Sequence, residues 1–166
     1  FVCRSHPAAQ AATGRCPMPV EYLVEDDLDL LAYRFHNKVT VRNVAGAITG
    51  VTARMTPGRT YRSLLVFHKT TDLSDIGPAD LRVIKAFMQQ AYDQASITRP
   101  DGAIVVDGSL DARFITPLWK AICDADDAID VHYRFFIDVG PALAWLDVVE
   151  TPALATLLSP QAGPAP

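Results

Sequence analysis

Cysteine is scarce in this chain and unevenly placed. Among its 166 residues only Cys3, Cys16 and Cys123 occur, an odd number without a Cys-x-x-Cys pair, which argues against a disulfide framework and against a four-cysteine zinc site. Cys123, within Leu118-Trp-Lys-Ala-Ile-Cys123, reads as a packing residue. Glycine is sparse where it matters for phosphates: Gly108 stands alone after its strand, so no glycine-rich cradle follows any apolar run. No uninterrupted apolar stretch approaches the roughly 20 residues needed to span a bilayer. Excess positive charge is also missing. Fifteen basic against 19 acidic residues give a net charge of -4, and the basic side chains occur singly, which excludes a phosphate-backbone footprint and makes nucleic acid an unsuitable partner. The histidines, at positions 6, 36, 68 and 132, form no i, i+4 pair of the kind a zinc hydrolase uses. These absences leave a soluble domain in a reducing cytoplasm as the expectation, without cofactor or metal.

The chain does have two short apolar runs, Tyr61–His68 and Gly102–Asp107, each followed at once by helical spacing. Such runs are how parallel strands read when both faces are covered. Residues 1–19, rich in Ala, Pro and small polar groups, are expected to be a loose tail, with Met18 a candidate natural start; residues 159–166 are expected to be a second tail. A single domain over 20–158 lies between them. Val20–Val24 and Leu31–His36 read as an antiparallel hairpin about an acidic turn at Asp26 and Asp27. A helix follows with Val44, Ile48, Val51 and Met55 on one stripe, Thr40 as its cap and Pro57-Gly58 as its stop. Gly46 and Gly50, one turn apart, fit close approach of that helix to a sheet.

Pro78 opens the next helix, with Leu81, Ile84, Met88 and Ala91 facing inward and Arg82, Lys85, Gln89 and Gln90 outward. Arg99-Pro-Asp-Gly102 reads as a turn. In the helix after Asp107, Pro117 predicts either a kink or a fresh start capped by Thr116. Val131–Ile137 alternates as an edge strand with Val131, Tyr133, Phe135 and Ile137 on one side, and His36 and His132 are expected to be partly exposed sheet residues. A short helix carrying Trp145 and one more from Thr151-Pro152 complete the pattern. The order β-β-α-β-α-β-α-β-α predicts an α/β fold: a five-stranded, mostly parallel sheet in the order 1-2-3-4-5, with strand 1 antiparallel.

That layout, with Leu64-Leu-Val-Phe67, Thr71-Asp-Leu-Ser74, Ala79-Asp-Leu81, Ala103-Ile-Val-Val-Asp107, Phe135-Phe-Ile-Asp138 and Ala142-Leu-Ala-Trp-Leu146, resembles the STAS or SpoIIAA-like family in its branch of single-domain bacterial proteins. The resemblance covers about residues 20–148 and implies a βα superhelix acting as a non-catalytic interaction or regulatory module, whose partner is another protein or a second copy. Antagonists of that family carry a phosphorylatable serine after an aspartate at the start of the helix following the third strand. Here the matching stretch is Asp75-Ile-Gly-Pro78, which departs from that pattern. Ser74, the nearest hydroxyl, is flanked by Asp72 and Asp75, which would oppose a phosphate.

Open α/β sheets place their sites at the carboxyl ends of the parallel strands. There the sequence offers His68, Thr71, Asp72 and Ser74 after one strand, and Asp107, Ser109 and Asp111 after the next, as a ligand or partner surface. Ser109, His68 and Asp72 could be assembled into a hydrolytic triad, yet the G-x-S-x-G elbow is missing. Asp72, Asp107 and Asp111 offer oxygen ligands for Mg²⁺, and equally serve as turn and cap residues. Tyr33, Phe35, Tyr133 and Phe135 are candidates to line a pocket for a small apolar or lipid-like ligand, as the lipid-transfer version of the resembling fold suggests; aromatic strand residues also simply form core.

Overall fold

The computed structural model describes residues 18–125 and 131–159; both expected tails therefore lie almost wholly outside the described residues. Five strands form one sheet: β1 (Val20–Glu25), β2 (Leu30–Phe35), β3 (Arg62–Phe67), β4 (Asp101–Val106) and β5 (His132–Phe136). Their order is 1-2-3-4-5, with β1 antiparallel to β2 and every other pairing parallel. The helices are α1 (Val41–Thr52), α2 (Pro78–Gln94), α3 (Leu110–Asp124), α4 (Val139–Trp145) and α5 (Pro152–Leu158). The expected α/β architecture is thus present, strand for strand.

Sequential strand order has a geometric consequence. Right-handed crossovers between neighbouring strands all arch over the same side, so α1, α2 and α3 cover one face, around Leu31, Tyr33, Phe35, Phe67 and Ile104. The opposite face carries the alternate residues Leu30, Ala32, Leu64, Val66, Ala103 and Val105, and among the described residues the two helices that come after β5 bury it. Two arginines fasten those helices by their last carbonyls, where cations complement the helix dipole. Arg34 Nη1 donates to the carbonyls of Leu157 (3.1 Å) and Ser159 (2.6 Å). Arg62 donates to the carbonyls of Leu146, Asp147 and Leu28.

Local signals were followed closely at the helix starts. Thr40 and Asn43 form a capping box on α1, Pro78 is the first residue of α2, and Thr151 caps α5. Other expectations need correction. Pro117 neither kinks the chain into two helices nor begins one; α3 runs continuously from Leu110, capped by Ser109, and Thr116 Oγ1 donates back to the Ala112 carbonyl at 2.7 Å. Lys85 is buried rather than outward, its ammonium donating to the Ile122 carbonyl at 2.9 Å, because α3 packs over that side of α2. His36 is buried under β1 rather than partly exposed, whereas His132 is exposed. Of the two small positions on α1, only Gly50 is a close approach: a methyl group there would stand 2.1 Å from the Tyr22 hydroxyl, while Gly46 faces open space.

Candidate functional site

The residues expected at the carboxyl ends of the strands do gather there, and most of their polar atoms are spent on the loops themselves. Thr71 Oγ1 is buried and donates to the Phe35 carbonyl at 2.8 Å. Ser109 Oγ, also buried, donates to the Thr71 carbonyl at 3.0 Å and accepts from Ala112 N at 3.2 Å. Asp111 accepts from Leu73 N at 3.1 Å, and Asp72 from Ser74 N at 2.9 Å. The backbone of Asp72 bonds to both Asn37 and Val39. Three loops, after β2, β3 and β4, are laced together by these bonds. Ser74 is exposed in its turn, three residues ahead of the α2 cap Gly77, and Asp107 is exposed beyond β4.

His68 is half-buried. Its Nδ1 lies 2.9 Å from Thr70 Oγ1 and accepts from Thr70 N at 3.3 Å. Burial, then the nearby Arg34 charge, lowers its pKa, so the ring is neutral at pH 7. Its bonds go to Thr70 while those of Ser109 go to Thr71 and Ala112, so the two side chains are not hydrogen-bonded to each other. A nucleophile needs a base in direct reach and a hydroxyl open to substrate; Ser109 has neither. Among the described residues, no group of three or more His, Cys, Asp or Glu side chains is arranged to hold a metal ion.

Two apolar features stand out instead. The first is on the surface beside α3 and β5. Leu110, Phe114 and Pro117 follow helical spacing along α3, and Leu110 and Phe114 are 70% and 78% exposed. Arg113 and Pro117 share a groove with Phe135, Ile137 and Pro141, and Ile137 is 76% exposed. Alternation along β5 explains this. Tyr133 lies under the helices, but Phe135 and then Ile137, on the same side, run out past their cover. Among the described residues β5 pairs with β4 alone, so none of them adds a strand to its outer edge. Alternation in Val131–Ile137 was legible in the sequence; the loss of cover at its end was not.

The second feature is internal: a cavity of about 90 Å³ between the sheet and α1, α2 and α3, its wall almost entirely carbon. Tyr33, Phe35 and Tyr133, all part of the core, line it, while Phe135 belongs to the outer groove. Tyr33 and Tyr92 share a hydroxyl–hydroxyl bond of 2.8 Å. Burial pushes the phenols of Tyr33 and Tyr133 above their ordinary range, so both are neutral. Two further lining residues went unread in the sequence, Arg99 and Trp119. Arg99 sits in what resembles an ordinary Pro-Asp-Gly turn, and nothing local marks its burial. The buried indole of the fold is that of Trp119, whereas Trp145 is only half-buried, against His132 and Phe136.

No helix among the described residues is long and apolar enough to cross a membrane. The chain matches no protein-family model, and a search of curated proteins likewise finds no match.

Proposed function

We propose that this domain is a non-catalytic protein-interaction or regulatory module of the bacterial cytoplasm, as its resemblance to the STAS or SpoIIAA-like family implies. The observation that carries the reading is the apolar groove holding Phe135 and Ile137, with Leu110 and Phe114 exposed on α3, beside an edge of β5 that no described strand covers. Exposed apolar clusters of this kind cost solubility unless a partner uses them. A partner protein that adds a strand to β5 would pair the backbone groups of that edge and lay alternate side chains over Phe135 and Ile137. His68, Thr71, Asp72, Ser74, Asp107, Ser109 and Asp111 then serve as the scaffold of a rim rather than as reacting groups. The test places a photo-crosslinking residue at Ile137 and, as a control, at the exposed Val83 of α2. A discrete adduct from position 137 that disappears in Phe114→Asp is the expected result; indiscriminate labelling from both positions would remove the reading.

A second reading is binding of a small apolar ligand, favoured by the carbon-walled internal cavity. At about 90 Å³ it is far below the several hundred Å³ typical of drug-sized or lipid ligands, so the ligand class narrows to small molecules. Native mass spectrometry of the purified protein tests it, with retained small-molecule mass expected and a bare chain under gentle conditions opposing it.

A further inference from the structure

The two edges of the sheet differ in what they present. β1 carries Glu21 and Glu25, acidic residues of the sort that keep an edge strand from pairing with its own copy. On β5 and just beyond it both signs occur: His132, Arg134 and Asp138, all exposed, share one side, and Tyr133, Phe135 and Ile137 the other. The strand has no proline, and its register with β4 runs without a bulge from His132 to Phe136. Phe135 and Ile137 are 40% and 76% exposed, so an edge of the kind proteins ordinarily blunt is left apolar on one face.

Backbone geometry decides which groups this edge offers. The His132 amide donates to the Pro100 carbonyl at 2.8 Å, so His132, Arg134 and Phe136 turn their peptide groups toward β4. Tyr133, Phe135 and Ile137 alternate with them and turn theirs outward, where no described strand meets them. The chain is still extended at Asp138, with φ -129° and ψ 151°. A second β5 running antiparallel can therefore bond only in registers that set these outward residues against each other. With Arg134 opposite its own copy, two cations would face each other. With Tyr133 opposite Val139, the pairing would run into the first residue of α4. The register between those two places Phe135 opposite Phe135, Tyr133 opposite Ile137, and His132 opposite Asp138.

We propose that β5 pairs antiparallel with β5 of a second copy of this chain, about a two-fold axis at Phe135, joining the two sheets into one continuous sheet. Asp138 of each copy then stands opposite His132 of the other and diagonal to its Arg134, within reach of that long side chain. The contact is isologous, so opposite charges meet on both sides of the axis. On the other face Phe135 packs against itself and Ile137 gains cover. The proposal rests on the interaction-module reading and names its partner as this same chain.

Sedimentation equilibrium of the whole chain, run from dilute to concentrated solution, decides the matter. A mass that rises from 18.1 kDa to twice that value and stops there is expected. Arg134→Asp and Asp138→Lys, both at exposed positions, should each weaken dimerisation about tenfold or more by bringing like charges together. Their equal mixture should pair as tightly as the wild-type chain, since each variant supplies the charge that the other lacks. A mixture no better than either variant alone would overturn the charge-matched pairing and the proposal with it. Growth past two copies, the mark of open-ended edge stacking, would do the same, as would a single chain at every concentration. In that last case a discrete adduct from position 137 to a different protein would leave the interaction-module reading standing, whereas the absence of any adduct would remove that reading as well.

Discussion

The hydroxyl of Ser109 gives its hydrogen to the Thr71 carbonyl at 3.0 Å while receiving the amide hydrogen of Ala112 at 3.2 Å. One side chain thus joins the loop after β3 to the first turn of α3. Its removal leaves a buried carbonyl and a helix amide without partners. Ser109→Ala should lower stability by about 1–2 kcal/mol, read as a shift in the urea unfolding midpoint at unchanged slope. Wild-type stability in this variant would mean that the rim is not held together as described.

Gly102 lies under the ring of Tyr133, where a methyl group would stand 2.5 Å from Cε1 and 2.6 Å from Cδ1. Tyr133 is buried and cannot swing aside. Gly102→Ala is expected to destabilise by roughly 1–3 kcal/mol through overpacking. Gly50→Ala meets the free end of the partly exposed Tyr22, which can rotate, so it should cost less. Melting curves of the two variants check the order, and the reverse order would contradict the pairing of β5 beside β4.

The two tryptophans differ in cover. Trp119→Ala empties part of the main core and should destabilise by about 3–5 kcal/mol. Trp145→Ala should lose roughly half as much, because its indole leans on His132 and Phe136 at the surface. Denaturant unfolding of both variants would sink this assignment if Trp145→Ala proved the more damaging.

His36 is buried, and burial lowers its pKa from the ordinary 6.5, only partly offset by the charge of Glu21. His68 is shifted the same way. With both folded-state values depressed, the unfolded chain takes up protons first, so stability rises with pH between those depressed values and 6.5 and falls on acidification through that window. Unfolding measured from about pH 5 to pH 8 should show this slope, reduced in His36→Gln. A flat profile would show that neither ring changes environment on folding.

Substitution of the exposed apolar residues should separate binding from stability. Phe114→Asp and Ile137→Asp alter exposed side chains and are expected to change stability by no more than about 0.5 kcal/mol. A large loss in either melt would place these residues inside a core rather than on a docking surface.

Much of the architecture was legible because its signals are local. Thr40, Pro78 and Thr151 announce helix starts through backbone groups that every helix must satisfy. Leu64–Phe67 and Ala103–Val106 announce buried strands by being apolar on both faces. Pro117 misled, because a helix already begun at Ser109 and held by its packing can carry a missing amide. Lys85 misled for a similar reason: its charge reads as outward until α3 supplies a carbonyl beside it. At the rim, the sequence located polar side chains but not their partners, which come from loops 36 to 38 residues away.

Alternation of strand and helix, with short connections and one hairpin, determined the sheet order and the hand of its crossovers, since polymer geometry leaves little choice once the elements are known. Only the folded chain decided which polar groups are consumed by loops, which apolar residues run out past their cover on β5, and that Arg99 and Trp119 are both buried beside the internal cavity. Those outcomes depend on contacts between segments far apart in the chain. Propensity and periodicity are properties of neighbours, and carry no record of such meetings.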